Sequence, residues 1–466
     1  MLTLDSASAT WAGWLFAPID NAFLALFRIV FGCAMLVHIH WYLDYDIIRA
    51  HFVEPQIHFT WLGFDWVRPW PGEGMYWHYH VMGFCAACIV VGFYYRVAAL
   101  LFSLAFTYDF LIDQTWYQNH HYLICLLSFL LIFLPAHHRL SLDAWRRPSI
   151  RSEVTPAWTL WLLRLQLGVP YFYGGLAKLN TDWLHGRPLD QWLTQAADVP
   201  IIGRFCHEAW CVYLFAYGGL FYDLLVVPAL LWKKTRWMAL ILTAAFHLTN
   251  AQVFEIGIFP WFMLPATFVV FFPPALFGSW FSRFRYRTLH NTEHHPHRRL
   301  VPRPVVLLFL GGYATIQLLL PLRHHLYPGS SAWTREAHHF SWRMKLNDRT
   351  VDIQYEYVDP ETGLVFPVDY QQWLTIQQGQ RLRNPDMFLQ LARAIARDLE
   401  RELDTKVEIR ATGTVSINGH PPRPLIAPNV DLASYPRSLW PAAWILSGKA
   451  PREPTATSSP AGDRHQ

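Results

Sequence analysis

Three groups of polar side chains that could do acid–base chemistry lie in strongly apolar surroundings. The first is Lys178, which directly follows the aromatic string YFYGGLA. Burial of an amine against an apolar wall favours its neutral form, and a neutral amine is a base. A base at a membrane boundary would suit chemistry on a lipid-soluble substrate. The alternative is an interfacial anchor, the commoner role of a lysine at the end of a span.

The other two groups lie at the ends of apolar segments elsewhere in the chain. Asn119 and His120 begin one such segment, in the string WYQNHHY that starts at Trp116, and His247 and Asn250 end another, in FHLTNAQ. Polar residues at membrane depth usually face the bundle interior or a cavity and often mark function. The alternatives are a helix cap or interfacial hydrogen bonds for the first pair, and hydrogen bonds between helices for the second.

Metal and phosphate chemistry have weak support. His290, His294 and His295 have the spacing of one histidine box of membrane di-iron desaturases, but no second box of that spacing follows. Cys85 and Cys88 match a redox or zinc spacing without a second pair. Neither a Walker A loop nor a G-x-G-x-x-G string is present. The sequence therefore predicts no metal site.

The composition indicates which elements must position these groups. The 466 residues are 53% hydrophobic and 16% aromatic, with 23 tryptophans, and only 15% are charged, against about 25% in soluble domains. This is typical of a polytopic membrane protein in contact with lipid. The net charge of +4 and the lack of basic clusters interleaved with aromatics argue against a nucleic-acid partner. The first 20 residues lack the basic start of a signal peptide.

Apolar segments of spanning length predict about nine transmembrane helices. They lie near residues 21–43, 76–94, 97–112, 120–135, 157–177, 212–232, 237–255, 257–277 and 304–322. The loops after even-numbered segments are rich in Lys and Arg, whereas the opposite loops hold few. The positive-inside rule then predicts a cytoplasmic amino terminus and an external carboxy-terminal part. Lys178, Asn119, His120 and His247 would all lie near the outer face.

The composition changes near Arg323. Residues 351–358 and 407–417 alternate like strands, the second ending at the turn signal Asn418-Gly419, and residues 385–403 have helical spacing. We therefore expect a helical transmembrane domain over 1–322 that carries the site. An extracytoplasmic α+β domain would follow over 323–448, and a disordered tail over 449–466.

Several long strings resemble the vitamin K-dependent γ-glutamyl carboxylase family. The string YFYGGLAKLNTDW, which contains Lys178, is similar to the family's Y-F-x-A-G-x-K-K-L-D-x-D-W. DQTWYQNHHYL, which contains Asn119, resembles D-K-T-S-W-N-N-H-x-Y-L, and FHLTNAQVFEIGIF resembles F-H-x-x-N-S-Q-L-F-x-I-G-M-F. Leu320-Pro321, Trp333-Thr334, and Ser341-Trp342 with Met344 resemble the start of the family's luminal domain. On these strings the chain is identified as a member of the family.

The resemblance implies an enzyme of the carbon–carbon lyase class. Lys178 falls on the family's base, which deprotonates reduced vitamin K, and Asn119 and His120 fall on the pair that orients the hydroquinone oxygen. O2 then converts the vitamin into a base strong enough to remove a glutamate γ-proton, CO2 adds, and the epoxide leaves. His247, Trp116, Asn250, Trp342 and Met344 are the residues expected to bind the cofactor.

One stretch departs from the family pattern. Animal members carry L-Y-G-Y-S-W where this chain has Ala337 to Trp342, and those tyrosines belong to the glutamate side of the site. The identity of the glutamyl peptide or protein acceptor is therefore open. Two alternatives to the carboxylase function remain. One is a hydroquinone epoxidase or oxygenase without carboxylation, and the other is a non-catalytic quinone-binding membrane protein. The short length and plain loops suggest a bacterial member in an inner membrane.

Overall fold

The computed structural model describes residues 13–200, 202–254, 256–283 and 301–448. The histidine box at 290–295, the predicted tail at 449–466 and Glu255 lie outside these residues, so the predictions made there are untested. The chain forms two compact units. The first takes residues up to 324 together with 337–348 and 370–382, and the second takes 325–336, 349–369 and the remainder from 383. The predicted domain boundary at 323 remains a prediction.

Each of the nine predicted apolar segments forms helix within the described residues. The helices are α1 Ala22–Asp44, α2 Gly74–Val91, α3 Tyr95–Ile112, α4 Asn119–Phe133, α5 Trp158–Ala177, α6 Ala209–Leu231, α7 Arg236–Val253, α8 Phe259–Phe271, α9 Pro274–Arg283 and α10 Arg303–Leu319. The eighth segment gives two helices, α8 and α9, bent by 94°. The bend lies at Pro273-Pro274, because proline removes a backbone donor and cannot continue a helix.

The count of nine spans is not confirmed. Five described helices are long and apolar enough to cross a membrane, or six if the bent pair counts as one. Helix α4 has only 15 residues, fewer than the roughly 20 that a span needs. Helix α5 carries Arg164 and Gln166, which lower its hydropathy. The number of spans and the orientation of the chain therefore remain predictions.

Two local features align the helices that carry the candidate residues. Strands β1 Pro18–Asp20 and β2 Val154–Pro156 pair antiparallel and bring the starts of α1 and α5 to the same end of the unit. A Cβ on Gly175 of α5 would lie 2.8 Å from the Leu224 side chain on α6. Glycine at this position therefore lets the two helices pack closely, as small residues do between membrane helices.

The second unit contains the predicted strands and helix. Strands β3 Arg349–Val358, β4 Val365–Val368, β5 Glu408–Ile417 and β6 Arg423–Pro424 form an antiparallel sheet in the order β4-β3-β5-β6. Helix α11 Ile376–Arg381 belongs to the first unit, and helix α12 Pro385–Leu403 to the second, where it buries Met387, Leu391 and Ile395. Asn418 and Gly419 have positive φ, as the turn signal predicts. The α+β character of this region is thereby confirmed.

Candidate active site

Lys178 caps the carboxyl end of α5 and is buried. Its Nζ donates a hydrogen bond to the Asp223 carboxylate on α6 and lies 3.4 Å from the Gly174 carbonyl oxygen. The ammonium nitrogen is 5.3 Å from the centre of the Trp183 ring. The lysine therefore has a carboxylate partner, which the string around Lys178 does not reveal. A buried, ion-paired lysine is also unlike an anchor that extends into the interface.

Asp223 is the residue that the sequence reasoning missed. It is a buried acid within the 23-residue apolar helix α6. A Cβ on Gly174 would lie 3.2 Å from its Oδ2 atom, so glycine there leaves room for the carboxylate. An isolated acid inside a span is a strong signal by itself, since such residues rarely persist without a partner or a function. Applied to α6, this rule would have identified Asp223.

His247 lies on α7 and is buried. Its Nε2 atom is 2.7 Å from the Tyr171 hydroxyl oxygen, and its Nδ1 atom is buried without a partner among the described residues. Tyr171 precedes Lys178 by seven residues on α5, so the two side chains share one helix face about two turns apart. Lys178 and His247 are therefore linked through the same face of α5.

His120 lies in the first turn of α4 and lines a small apolar cavity. The other lining residues are Met35, Leu123, Ile124, Ile258, Phe259 and Phe262. The imidazole stacks on the Phe259 ring at 5.8 Å between centroids, and the His247 ring meets that same phenyl ring at 6.1 Å. The structure thus brings His120 and His247 to a common aromatic neighbour.

Asn119 and Trp116 have different surroundings. The Tyr117 hydroxyl donates a hydrogen bond of 3.1 Å to Asn119 Oδ1 and accepts one of 2.9 Å from the Phe340 amide. The Trp116 ring instead stacks on an imidazole, that of His51, at 3.1 Å between centroids. Trp116 also lines a second, more polar cavity. The structure does not bring Trp116 to the Phe259 ring.

Trp342 and Met344 lie in the segment 337–348 of the first unit. The Trp342 ring is buried 5.0 Å from the Tyr122 ring of α4. Met344 Cε lies 3.4 Å from where a Cβ of Gly174 would be, beside the carboxylate of Asp223. This segment therefore contacts both α4 and α5.

Asn250 is half-buried, one turn after His247 on α7. Its backbone carbonyl accepts the Phe254 amide, which ends the helix. No side-chain hydrogen bond ties Asn250 to the other candidate residues within the described part of the chain.

These contacts describe one constellation with three chemical capabilities. It holds a buried amine–carboxylate pair, two imidazoles that share an aromatic neighbour, and an apolar lining that excludes water. The pair supplies a proton acceptor, and the imidazoles can orient or exchange protons with hydroxyl groups. Within the described ranges, no group of three or more His, Cys, Asp or Glu side chains is arranged to hold a metal ion.

Two family models match the chain one after the other. The model described as the HTTM domain matches residues 16–275, more than half of the chain. The model described as the lumenal domain of vitamin K-dependent gamma-carboxylase matches residues 302–450. No solved structure matches the chain. The first match spans α1 to α8 and the first residues of α9, and the second spans α10 and the β3–β6 sheet.

Proposed function

Because the chain belongs to the HTTM domain family and carries the lumenal domain of the vitamin K-dependent gamma-carboxylases, we propose that it is a membrane-embedded vitamin K-dependent glutamyl carboxylase. In this reaction the hydroquinone, O2, CO2 and a glutamyl γ-C–H give the epoxide, water, a γ-carboxylate and one proton. The observation that carries the assignment to a site is the buried Lys178–Asp223 pair, in which Lys178 shares a face of α5 with Tyr171, the partner of His247 on α7.

The side chains present suit the chemical groups of a reduced quinone, although the cavity beside His120 is about 10 Å³ and must widen to admit a ring. Such a molecule has hydroxyl groups on an aromatic ring and an apolar tail. The unpartnered Nδ1 of His247 and the imidazole of His120 suit the hydroxyls, and Phe259, Phe262 and Met35 suit the ring and tail. When bound, the vitamin supplies the strong base that no side chain can provide beside a carboxylate. The apolar lining keeps water from quenching that base.

Lys178 and Asp223 can move a proton between them. In the charged form the pair is an ammonium and a carboxylate, and after transfer of the proton within the pair it is an amine and a carboxylic acid. The neutral form presents a free amine at Nζ. When that amine accepts a hydroxyl proton, the pair gains one positive charge, which balances the negative oxygen left behind. Lys178 is thus the proposed base and Asp223 its positioning partner.

The neighbouring side chains have supporting roles in the proposal. Asn119, oriented through Tyr117, and His120 would hold the hydroquinone oxygen. Tyr171 would hold His247 in place by its 2.7 Å contact. Trp342 and Met344 would close the site beside Gly174, and Asn250 would lie at its edge. Trp116 has no described contact with this group and is not included in the quinone site.

A second candidate function, a hydroquinone epoxidase without carboxylation, is favoured by one feature. The residues on the predicted glutamate side depart from the family pattern at Ala337 to Trp342. His339 and Phe340 there pack against the rings of Tyr117 and Trp61. The two tyrosine positions of the animal pattern are His338 and Phe340 in this chain, so the side chains on the predicted glutamate side differ.

The proposal includes a location for the site. We place the amino terminus in the cytoplasm of a bacterial cell, the chain in the inner membrane, and the active site and α+β domain outside. The support is the asymmetry of basic loops along the sequence. Lipid and a quinone are the expected small-molecule partners, and a glutamyl peptide is the expected acceptor.

The test is turnover by the purified full-length chain in detergent. The protein is supplied with reduced vitamin K, O2 and CO2, with and without a glutamyl peptide, and epoxide and carboxylated peptide are quantified by mass spectrometry. The carboxylase assignment predicts both products in equal amounts. Epoxide without carboxylated peptide would instead support the epoxidase. Quinone binding without epoxide would contradict both the carboxylase and the epoxidase assignments and would indicate a non-catalytic binding protein.

A further inference from the structure

We propose that a row of imidazoles and one phenol carries protons between His120 and solvent at the segment Arg49–Val53. The row consists of His120, His121, His38, Tyr42 and His51. This inference rests on the proposed function for the place where it starts, but its path is argued from contacts that do not involve the quinone site. Only the first member belongs to the constellation described above.

The row starts with two adjacent histidines that face different cavities. Consecutive residues of a helix point about 100° apart. His120 lines the apolar cavity beside Phe259, whereas His121 lines a second cavity. The other residues of the second cavity are Tyr42, His51, Phe52, Asp109, Phe110, Asp113 and Trp116. The two imidazole centroids are 4.6 Å apart, so the first turn of α4 connects both spaces.

The row continues through α1. The His121 and His38 ring centroids are 5.4 Å apart, and the His38 and Tyr42 centroids are 4.4 Å apart. At these separations a ring rotation or one bridging water would join the ring heteroatoms, and the second cavity, of about 10 Å³, has room for one water. His38 and Tyr42 are both buried and lie four residues apart on one face of α1.

The row ends at a surface segment. The Tyr42 and His51 ring centroids are 5.8 Å apart. His51 lies within the one-turn π-helix Arg49–Val53 and is partly exposed, although its Nδ1 atom is buried without a partner. The adjacent ion pair between Arg49 and Glu54 is exposed to solvent. A proton that reaches His51 can therefore pass to water.

Charged groups face this row from every side, and the carboxylates among them are engaged. Asp109 of α3 accepts a hydrogen bond of 3.0 Å from Tyr79 of α2. Asp113 accepts hydrogen bonds from Thr115 and Gln378 and lies 3.4 Å from His58. The guanidinium of Arg381, at the end of α11, lies 4.1 Å from the centre of the Trp116 ring. The groups within the row are imidazoles and a phenol, which can take up a proton on one atom and release one from another.

The proposed reaction requires such a route. Coupled carboxylation releases one proton per turnover, because the glutamyl C–H becomes a γ-carboxylate while the two hydroxyl hydrogens leave as water. Epoxidation alone releases none. The cavity beside His120 is otherwise lined by apolar side chains, so the imidazole is the acceptor that this cavity offers. The row gives that proton a way out without admitting bulk water.

The first test needs no vitamin K. The full-length chain in nanodiscs is incubated in D2O, and exchange of the imidazole C2 hydrogens is followed by mass spectrometry. Substitution His51→Leu is expected to slow exchange at His38 and His121 several-fold, because both lose their connection to solvent. The matched control is His40→Leu. His40 is exposed on α1, the helix that carries His38, and lies outside the row. Its Nε2 atom is 3.2 Å from Asp44 Oδ2. Unchanged exchange in folded His51→Leu and His51→Gln would overturn the proposal.

The second test uses turnover. In His121→Gln the kcat of coupled carboxylation is expected to fall about 100-fold, the low end for a lost acid–base group. KM for reduced vitamin K should stay constant, and added imidazole should restore part of kcat. A wild-type kcat and pH profile in this variant would sink the relay alone. If wild-type protein forms no epoxide, the carboxylase proposal is contradicted. The hydrogen-exchange measurement would still test the proton relay, because it needs no vitamin K.

Discussion

Two buried cations lie near opposite ends of the helical unit and are held in different ways. Arg28, near the start of α1, donates to the carbonyls of Ile89, Val90 and Leu140 at 2.8, 3.0 and 2.5 Å. Lys178, at the end of α5, has one carboxylate partner, Asp223. The β1–β2 pairing aligns the starts of α1 and α5, which separates the two cations along the bundle.

The difference distinguishes a structural cation from a chemical one. Guanidinium is always charged and has several fixed donors, so it can satisfy the free carbonyls at the end of α2 and of a following loop. An amine paired with one carboxylate can give up its proton to that partner. Burial of a cation alone therefore does not identify a base; the type of its partner does. Four experiments, at Arg28, Lys178, Asp223 and Tyr171, test this contrast.

The largest expected effect is on stability at the arginine. Arg28→Met removes the cationic donor to the carbonyls of Ile89, Val90 and Leu140, and we expect a loss of about 4 kcal/mol of unfolding free energy from charge-assisted hydrogen bonds. Thermal unfolding in detergent measures this loss of stability. Epoxide formation per folded molecule should stay at the wild-type level. A wild-type unfolding temperature, or a specific loss of turnover in folded protein, would contradict the structural role.

The second-largest expected effect is a loss of stability in Lys178→Met, which a second substitution should reverse. Lys178→Met leaves the Asp223 carboxylate buried and unpaired, which should lower stability by about 3 kcal/mol. Adding Asp223→Leu removes the unpaired acid and should restore most of the unfolding temperature, while both variants form no epoxide. If the double variant is as unstable as the single one, the pair is not the source of the loss.

A smaller effect is expected from Asp223→Asn. Asparagine keeps the shape and can still accept from Lys178, but it cannot take up the amine's proton. We expect kcat for epoxide to fall about 100-fold, or roughly 2.7 kcal/mol in the barrier, with KM for reduced vitamin K unchanged. Steady-state kinetics measure both constants. A rise in KM alone would indicate that Asp223 only shapes the site.

The smallest effect is expected at Tyr171→Phe. The substitution removes one neutral hydrogen bond to His247, worth about 1 kcal/mol, so epoxide formation should fall about fivefold. Tyr173→Phe is the matched control, because Tyr173 lies on the same helix and donates to the Leu318 carbonyl instead. Equal losses in both variants would mean that the effect is one of packing.

Much of the fold was accessible from the sequence. Nine apolar runs predict the helical segments, although not the break of the eighth into α8 and α9, and alternation predicts β3 and β5, because burial and period are local properties. The number of spans was less accessible. Helix α4 is short and α5 carries Arg164, so neither meets the length and hydropathy of an isolated span. Neighbouring helices shield such segments, and one sequence does not reveal which helices are neighbours.

The site was accessible only in part for the same reason. Lys178, His120 and His247 are conspicuous because polar residues are rare in apolar segments. Their partners Asp223, Tyr171 and Phe259 come from other helices, and only packing makes them partners. Trp116 is close to Asn119 in sequence, but its indole has different neighbours. The 3₁₀ turn Gln114–Trp116 precedes α4 and directs the indole to the second cavity instead.

The central claim is that Lys178 is the base of a hydroquinone-oxidising site. Its most direct test is epoxide formation from reduced vitamin K and O2 by Lys178→Ala beside wild-type protein, at matched amounts of folded chain. The account predicts epoxide from the wild type and none above the protein-free background from the variant. Epoxide formed by folded Lys178→Ala at the wild-type rate would contradict it.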